Sequence, residues 1–345
     1  MGEGILSEGE LNRALLARQL LLERARASIP RAVEKLGGLQ TQYAPSPYVA
    51  LWSRLEGFRR DHLTKALERR SVVQGTLLRS TIHMVSARDY WPTALAIREI
   101  RREWWLRQGR VRRSARTMEA IAKRVRAELA AGPRRRSEID EGLGAQAWNG
   151  AGLWVDLLRL PPSGTWEQRR ADLYGLAESA LGPPGDVTPE QGVELLVRRY
   201  LGGFGPAPVA DIANWAGLPK PTVADAVGRL GLRRFRDEQG RELLDLPRAP
   251  LPDPETPAPV RFLPWWDATL LVHARRTGIL PEEHRPLVFN TRTPHSTAVF
   301  LVDGRVAGKW SEERGRIVLE PFGRLSRAAR KELDEEAARL ADFYR

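Results

Sequence analysis

The sequence predicts an α+β protein with three tandem winged-helix modules followed by a small antiparallel β-barrel and a C-terminal helix. Two observations support this prediction. Helices followed by short strand-like stretches recur through the first 248 residues, and alternating strands dominate after a proline-rich segment. The predicted modules cover residues 1–88, 89–184 and 185–248, with a linker at 249–260 and the barrel and final helix at 261–345.

The third predicted module carries the clearest pattern. Thr188 and Gln191 form a capping-box pair ahead of the helical stretch "VELLVRRYL". In "PVADIANWAGLPKPTVADAVGRLG", Ala213 precedes Gly217 by four residues, which is typical of the close helix contact and tight turn of a helix-turn-helix. Two short strands around "DEQG" follow, so the order predicts a winged helix.

The first two predicted modules repeat this rhythm less distinctly. A capping box at Ser7 and Glu10 opens the first helix, and Pro47 occupies a first helical position before "YVALWSRL". The alternating, β-branched "TLLRSTIHMVS" predicts a strand. Residues 86–130 are predicted to be helical, and "RSEIDEGL" and "TWEQRRADLYGL" predict a further helix and strand.

The C-terminal part changes character after the linker "APLPDPETPAPV". Short strands are predicted in "VRFLPWWDATLLVH", "RPLVFN", "STAVFLVDGRVAGKW" and "GRIVLEPF". The Asp-Gly pair in "VDGRV" predicts a two-residue hairpin turn. The amphipathic "SRAARKELDEEAARLADFYR" predicts the closing helix.

The charge balance favours an anionic partner. The chain has 55 basic and 43 acidic residues, a net charge of +12, and only six of the basic residues are lysines. Arginine binds phosphate with two hydrogen bonds, which suits nucleic acid, but a GC-rich genome also favours arginine codons. Residues 101–136 contain 13 basic and three acidic side chains.

Within that basic stretch, the loop-like "RQGRVRRSAR" provides Arg110, Arg112 and Arg113 as expected DNA phosphate contacts. The alternative is a solvated helix face with a flexible basic loop. "RRRSE", just before a helix start, could meet a further phosphate.

Several classes of function are excluded or disfavoured by composition. The absence of cysteine excludes disulfides, thiolate nucleophiles and cysteine-bound zinc. His62, His273, His284 and His295 have no metal-ligand spacing, so neither a metal nor another cofactor is expected. No apolar run approaches the roughly 18 residues of a membrane span, and no signal-peptide core is present, which predicts a cytoplasmic protein without membrane contact.

Gln40 and Gln42 form a polar interruption in "EKLGGLQTQYAPSPYVALWSRL", between two predicted helices. Three interpretations are open: a solvated turn, a hydrogen-bond staple, or a site that holds something polar. The Gln-x-Gln pattern arises readily by chance, so its significance depends on its position after "LGG" and before "YAPSPYVALW".

The same segments resemble a known family. "LLARQLLL…GGLQTQYAPSPYVALWSRL", "LLRSTIHMVSARDYW", "LVRRYLGGFGPAPVADIANWAGL", "FLPWWDATLLVHARR" and "VFLVDGRVAGKW" are similar to the AlkZ/YcaQ family of bacterial winged-helix DNA glycosylases. That family's catalytic motif is Gln-x-Gln or Gln-x-Asp with an aliphatic middle residue. The resemblance therefore implies Gln40 and Gln42 as catalytic residues. Thr41 departs from the motif, and its hydroxyl would need a partner in a core.

The resemblance implies a monofunctional DNA glycosylase that acts as a monomer on double-stranded DNA carrying alkylated purines. Its substrates would be bulky N7-alkylguanine adducts or interstrand crosslinks, and its host role would include self-resistance to alkylating natural products. A cationic purine is already a good leaving group, so two amides that orient a water could suffice, leaving an abasic site.

Further DNA contacts are expected from two places. Strand alternation would put Arg79, Thr81 and His83 on one face near the site, although a structural hydrogen-bonding role for His83 is favoured over catalysis. Arg292, at the tip of a predicted hairpin "FNTRTPHSTAV", could probe the minor groove or lie in a plain surface turn. The tryptophan pairs at 104–105 and 265–266 are interpreted as core.

Two other classes of function remain open at this point. Winged helices most often belong to non-enzymatic transcriptional regulators, which bind an operator tightly and release no base. Against this, no effector domain is evident, and three fused modules suggest a clamp. A winged-helix protein that contacts only other proteins is the third possibility, and it would not bind duplex DNA even at low salt.

Overall fold

The computed structural model describes residues 4–108, 114–143, 150–270, 274, 276–289 and 296–345. The elements up to residue 86 are β1 (Gly4–Leu6), α1 (Glu8–Arg18), α2 (Ile29–Lys35), β2 (Leu39–Gln40), α3 (Ser46–Arg54), α4 (Arg60–Glu68), β3 (Val72–Thr76) and β4 (Ile82–Ser86). Those from residue 87 to residue 181 are α5 (Ala87–Arg107), α6 (Ala115–Leu129), β5 (Arg134–Arg135), α7 (Arg136–Leu143), β6 (Leu157–Arg159), β7 (Leu173–Leu176) and α8 (Ala177–Leu181).

Three helices and a hairpin follow: α9 (Pro189–Phe204), α10 (Val209–Ala216), α11 (Lys220–Gly228), β8 (Arg233–Asp237) and β9 (Glu242–Asp245). The last elements are β10 (Arg261–Leu263), α12 (Arg285–Val288), β11 (Val299–Val302), β12 (Arg305–Glu313), β13 (Arg316–Pro321) and α13 (Arg327–Tyr344). No helix in the described ranges is both long and apolar enough to cross a membrane.

The predicted helix starts with capping boxes are confirmed. The Ser7 hydroxyl accepts from the Glu10 amide while the Glu10 carboxylate accepts from the Ser7 amide, and Thr188 and Gln191 make the same reciprocal contacts. Each box satisfies amide groups that the first turn of a helix leaves without partners.

The region of β8 and β9 has the predicted order of three helices and a hairpin. Gly217 ends α10 with a left-handed backbone, φ 70°, which glycine adopts without strain. A contact that the sequence did not predict is the parallel pairing of β1 with β8, in which Gly4 lies opposite Phe235. The N-terminal strand therefore completes a three-stranded sheet with residues far along the chain.

Strands of residues 1–88 and 89–184 share one sheet. Its order is β2-β4-β3-β6-β7-β5, and every pairing is antiparallel. In one row of this sheet, His83 of β4 lies between Gln40 of β2 and Gly75 of β3, and Gly75 pairs onward with Leu158 of β6. The glutamine-bearing strand is thus fixed to both parts of the chain.

The prediction of a single strand over "TLLRSTIHMVS" is wrong. Residues Leu78–Ser80 form a 3-10 turn between β3 and β4, and Arg79 and Ser80 have positive φ angles of 51° and 58°. The Arg79 guanidinium donates to the Trp215 carbonyl at the end of α10. A contact with a distant helix therefore fixes this turn against the local strand propensity.

The C-terminal sheet has the order β10-β11-β12-β13 and is antiparallel. Within the described part of the chain, β10 and β13 are its two edges and do not pair, so the predicted closed barrel is not confirmed. The Asp-Gly hairpin is confirmed: Asp303 and Gly304 join β11 to β12 with φ angles of 46° and 72°. The strand predicted in "RPLVFN" is wrong, since Arg285–Val288 is a short helix.

The proline-rich segment packs on α1. Arg18 donates to the Pro250 carbonyl and Arg13 donates to the Thr256 carbonyl. Arg18 also forms a fully buried ion pair with Asp245 of β9, with a closest N–O distance of 2.6 Å. A second buried pair joins Arg54 at the end of α3 to Asp267, at 2.9 Å. The Arg54 pair therefore connects α3, the helix that follows the glutamine segment, to the segment that bears Trp265 and Trp266.

Candidate active site and nucleic-acid interface

Gln40 is the last residue of β2, at the edge of the six-stranded sheet. Its Cα pairs with that of His83, and the next residue continues the contact through the Thr41 amide, 2.8 Å from the Ile82 carbonyl. Gln40 is only 9% exposed, and its side-chain amide has no hydrogen-bond partner among the described residues. A buried amide without a protein partner leaves room for a bound water or substrate atom.

Gln42 is exposed, and its Oε1 accepts a hydrogen bond of 2.9 Å from the Ile82 amide. Only the oxygen of a side-chain amide can accept, so this bond fixes the orientation of the group. The amino group and the second lone pair of Oε1 remain available. Gln42 therefore acts as the hydrogen-bond staple that one interpretation expects, while Gln40 does not.

Thr41 fills the middle position of the motif and points inward, with 4% of its surface exposed. Its Oγ1 is buried without a hydrogen-bond partner among the described residues, as is Oγ of Ser46, the first residue of α3. The partner that a buried Thr41 hydroxyl needs is not provided by the described protein. An unsatisfied buried hydroxyl costs about 1–3 kcal/mol, so this segment carries a local penalty.

His83 lies behind Gln40 and is 3% exposed. Burial, with a smaller contribution from the charge of Arg79, lowers the pKa of its imidazole to about 3. Its Nδ1 lies 3.2 Å from the Thr81 carbonyl. The ring is thus neutral at physiological pH and makes a structural hydrogen bond, and its burial argues against the expected contact with DNA.

The prediction that three side chains share one face is wrong for Arg79, whereas the Thr81 hydroxyl lies 3.3 Å from Nδ1 of His83. Arg79 lies in the turn, and burial lowers the pKa of its guanidinium to about 10, which leaves it protonated. The Thr81 hydroxyl donates to the Leu78 carbonyl at 3.0 Å. Both side chains stabilise the turn between β3 and β4, and a DNA contact of either stays a prediction.

The predicted basic contacts have different outcomes. Arg110, Arg112, Arg113 and Arg292 lie outside the described residues. The arginines of "RRRSE" are each paired with a carboxylate: Arg134 with Glu128, Arg135 with Asp172 and Arg136 with Asp140, at 3.5, 2.9 and 2.7 Å. Glu138 also accepts from the Arg135 amide at 2.6 Å. The protein's own carboxylates therefore occupy the place expected for a phosphate.

An aromatic cleft beside Gln42 was missed by the sequence interpretation. It has a volume of about 350 Å³, and residues from four separate parts of the chain line it, among them Gln42, Tyr43, Trp265, Trp266, Trp310 and Glu312. Trp265 is 42% exposed and Tyr43 39% exposed, so the assignment of Trp265 to the core is wrong. Trp104 is likewise 46% exposed. The adjacent tryptophans after Pro264 were a signal, but only the tertiary structure brings them to Gln42.

Two arginines at the rim of this cleft were also missed. Arg169 is exposed and donates to the Tyr43 hydroxyl at 3.3 Å. Its guanidinium and that of Arg60 lie 5.9 and 5.0 Å from the ring centre of Trp166. Neither arginine has a carboxylate within ion-pair distance in the described ranges. Both charges are therefore available to an anionic partner near Gln42.

Metal-assisted chemistry has no visible site in this region. Among the residues whose positions are described, no group of three or more His, Asp or Glu side chains could hold a metal ion.

Comparisons with known proteins agree with this architecture. A glycosylase named as repairing interstrand DNA cross-links, from Streptomyces sahachiroi, is 28% identical over 161 residues, which are 44% of this chain and 43% of that protein. The match thus spans less than half of that relative's length. The solved structure of the Streptomyces sahachiroi DNA glycosylase AlkZ superposes with a TM-score of 0.82 at 21% identity, covering 98% of this chain and 96% of the other, which confirms the α+β fold.

The family resemblance inferred from the sequence is tested by a family model. The model described as DNA glycosylase AlkZ-like matches residues 33–343, a range that contains the glutamine pair, the shared sheet, the buried ion pair of Arg54 and the aromatic cleft. This chain belongs to the AlkZ-like family of DNA glycosylases.

Proposed function

We propose that this protein is a monofunctional DNA glycosylase that hydrolyses the N-glycosidic bond of cationic alkylpurines. Gln40 and Gln42 position the attacking water, and the product is an abasic site. The single observation that carries the proposal is the Gln40 side chain, nine-tenths buried and without a hydrogen bond to any described residue, two residues from a Gln42 whose orientation is fixed by Ile82.

The reaction needs little from the protein. Alkylation at a ring nitrogen gives the purine a positive charge, so the C1′–N bond breaks as the base takes the bonding electrons and leaves neutral. The water oxygen attaches to C1′ and its proton passes to solvent. Amide oxygens accept hydrogen bonds from this water and direct negative dipole ends at the positive charge developing on the sugar.

The neutral imidazole of His83, which pairs with Gln40 in the sheet, supports selectivity for damaged bases. His83 stays neutral because its pKa lies near 3, so it does not protonate an unmodified purine at neutral pH. An ordinary purine is a poor leaving group without such protonation. Bases that are already cationic are then the ones removed.

Duplex DNA is the partner in this proposal, held by three winged-helix modules of a monomer. The net charge of +12 and the rim arginines Arg60 and Arg169, which have no carboxylate partner among the described residues, support phosphate contacts close to Gln42. The name of the Streptomyces relative supports interstrand crosslinks as substrates in addition to bulky N7-alkylguanine adducts. The non-enzymatic regulator is not favoured, since the family and both relatives are glycosylases.

The test is base release from duplexes that carry N7-methylguanine, a bulky N7 adduct or a crosslink, followed by alkaline cleavage of the abasic site. We expect Gln40→Ala and Gln42→Ala to slow single-turnover hydrolysis by on the order of 100-fold, since a misplaced water loses that much. Gln239→Ala, on the exposed turn between β8 and β9, is the matched control and should cleave like wild type. No cleavage of any substrate by wild type, or unchanged rates in both glutamine variants, would contradict the proposal.

A further inference from the structure

The aromatic cleft beside Gln42 has features of a binding site for a positively charged ring. Gln42 is part of both the cleft wall and the proposed catalytic pair, so whatever occupies the cleft lies next to the water that the pair holds. A volume of about 350 Å³ falls in the range of about 300–1,000 Å³ that small-molecule sites occupy.

The walls of the cleft are aromatic. Trp265 and Trp266 form a tilted pair with ring centres 5.9 Å apart, and Trp310 closes the floor with its indole nitrogen donating to the Leu263 carbonyl at 3.0 Å. Trp265 and Tyr43 expose large aromatic surfaces at the mouth. Exposed aromatic surface is costly in water, and its concentration at one opening favours a stacking role.

The charge of the cleft is opposite to that of the whole chain. Among the lining residues that the structure describes, Glu312 is the only one with a formal charge at neutral pH, although the protein has a net charge of +12. A carboxylate beside aromatic faces repels phosphate and attracts a cationic ring through the negative face of each π-system. The Ser46 hydroxyl, buried and without a partner among the described residues, also lines the cleft and can bond the edge of such a ring.

We propose that this cleft binds the positively charged alkylpurine before hydrolysis and thereby selects damaged bases over normal ones. The inference rests on the proposed glycosylase function and adds the recognition site. The arginines at the rim hold the phosphate backbone while the cleft takes the base, which places its sugar at Gln42. Because the base becomes neutral as it leaves, its attraction to Glu312 and the indoles falls, and the product is released.

The experiment measures binding rather than turnover. Wild-type protein is titrated with a duplex containing one 2′-fluoro-7-methylguanosine, whose glycosidic bond resists hydrolysis, and with the same duplex containing 2′-fluoroguanosine. We expect wild type to prefer the charged duplex by about tenfold, the scale of a desolvated cation–π contact. Trp265→Ala and Glu312→Gln should each bring the ratio close to one.

The variants are chosen so that a loss of preference for the charged duplex does not arise from misfolding. Trp265 is half exposed, and glutamine at position 312 keeps the oxygen that accepts from the Gly315 amide at 2.6 Å. Trp104→Ala, which removes another exposed tryptophan, on α5, is the control and should keep the wild-type ratio. An unfolding temperature close to that of wild type in every variant shows that the protein is folded.

Two results would overturn the inference. The first is a ratio near one for wild type. The second is a wild-type ratio in Glu312→Gln together with a ratio near one in Trp265→Ala, because the cleft would then recognise the apolar surface of the base and not its charge. Absence of base release from an ordinary N7-methylguanine duplex would count against the proposed glycosylase activity alone, since the binding ratio does not depend on hydrolysis.

Discussion

Arg54, at the end of α3, and the glutamine segment just before α3 differ in how completely their polar groups are hydrogen-bonded. All five N–H groups of Arg54 have acceptors: the carbonyls of Gln19 and Ala50, both carboxylate oxygens of Asp267 and the Thr269 hydroxyl, at 2.9 to 3.1 Å. Such a buried charge is tolerated because the protein replaces every hydrogen bond that water would have made.

The glutamine segment leaves comparable groups without protein partners in the described ranges. They are the Gln40 amide and the hydroxyls of Thr41 and Ser46. The two ends of α3 therefore differ. At the Arg54 end every N–H group of that side chain has a hydrogen-bond partner, and this end fixes the segment bearing Trp265 and Trp266. At the other end, which faces the cleft, polar groups lack such partners among the described residues. The first end provides rigidity and the second provides binding capacity.

The largest expected effect on stability comes from removing a hydrogen-bond partner of Arg54 at the end of α3. Asp267→Ala leaves the Arg54 guanidinium buried without its carboxylate, and we expect the free energy of unfolding to fall by about 3–5 kcal/mol. Urea denaturation followed by tryptophan fluorescence measures this loss. Glu56→Ala, which removes the carboxylate from the exposed pair with Arg26, is the control and should change stability little. Similar losses in the two variants would erase the contrast between buried and exposed pairs.

A smaller effect is expected from His83, whose Cα pairs with that of Gln40 in the six-stranded sheet. Its pKa is lowered from 6.5 to about 3 in the folded protein, so the unfolded chain binds a proton between these values and the folded chain does not. Its contribution to stability is therefore complete above 6.5 and decreases as the pH falls toward 3. Acidification from about pH 7 to about pH 5 should cost roughly 2 kcal/mol from this group.

His83→Asn provides the comparison for this pH effect, because asparagine does not titrate. Its unfolding free energy, measured across the same pH range, should lack that part of the decrease. Parallel pH profiles for wild type and variant would show that His83 titrates normally and is more accessible to solvent than its burial indicates.

The smallest effect is expected for DNA binding by Arg169, at the rim of the aromatic cleft. Arg169→Ala removes an unpaired exposed guanidinium beside Tyr43, so we expect weaker binding to all duplexes and a decrease of about one in the slope of log affinity against log salt. Arg26→Ala removes an exposed arginine that is already paired with Glu56. Fluorescence anisotropy at several salt concentrations measures both. Equal slopes in the two variants would show that Arg169 makes no phosphate contact.

Local signals in the sequence predicted local structure correctly. The capping boxes at Ser7 and Thr188, the turn at Gly217 and the hairpin at Asp303 each depend on residues within a few positions of one another. The energy of these features is local, so a single sequence contains what is needed to recognise them.

Features that join distant segments were not predicted. The pairing of Gly4 with Phe235, the sheet shared by residues 1–88 and 89–184, and the open C-terminal sheet are set by tertiary packing. The site shows the same division. Its glutamine pair is proposed from the motif and the family resemblance, whereas the burial of His83 and the meeting of Trp265 with Gln42 arise only when the chain folds.

The six-stranded sheet ends on both sides in strands of two residues, β2 (Leu39–Gln40) and β5 (Arg134–Arg135). An edge that short presents too few free backbone groups to recruit a strand from a second molecule. Gln40 can therefore lie at the border of the sheet without making that border a site of aggregation.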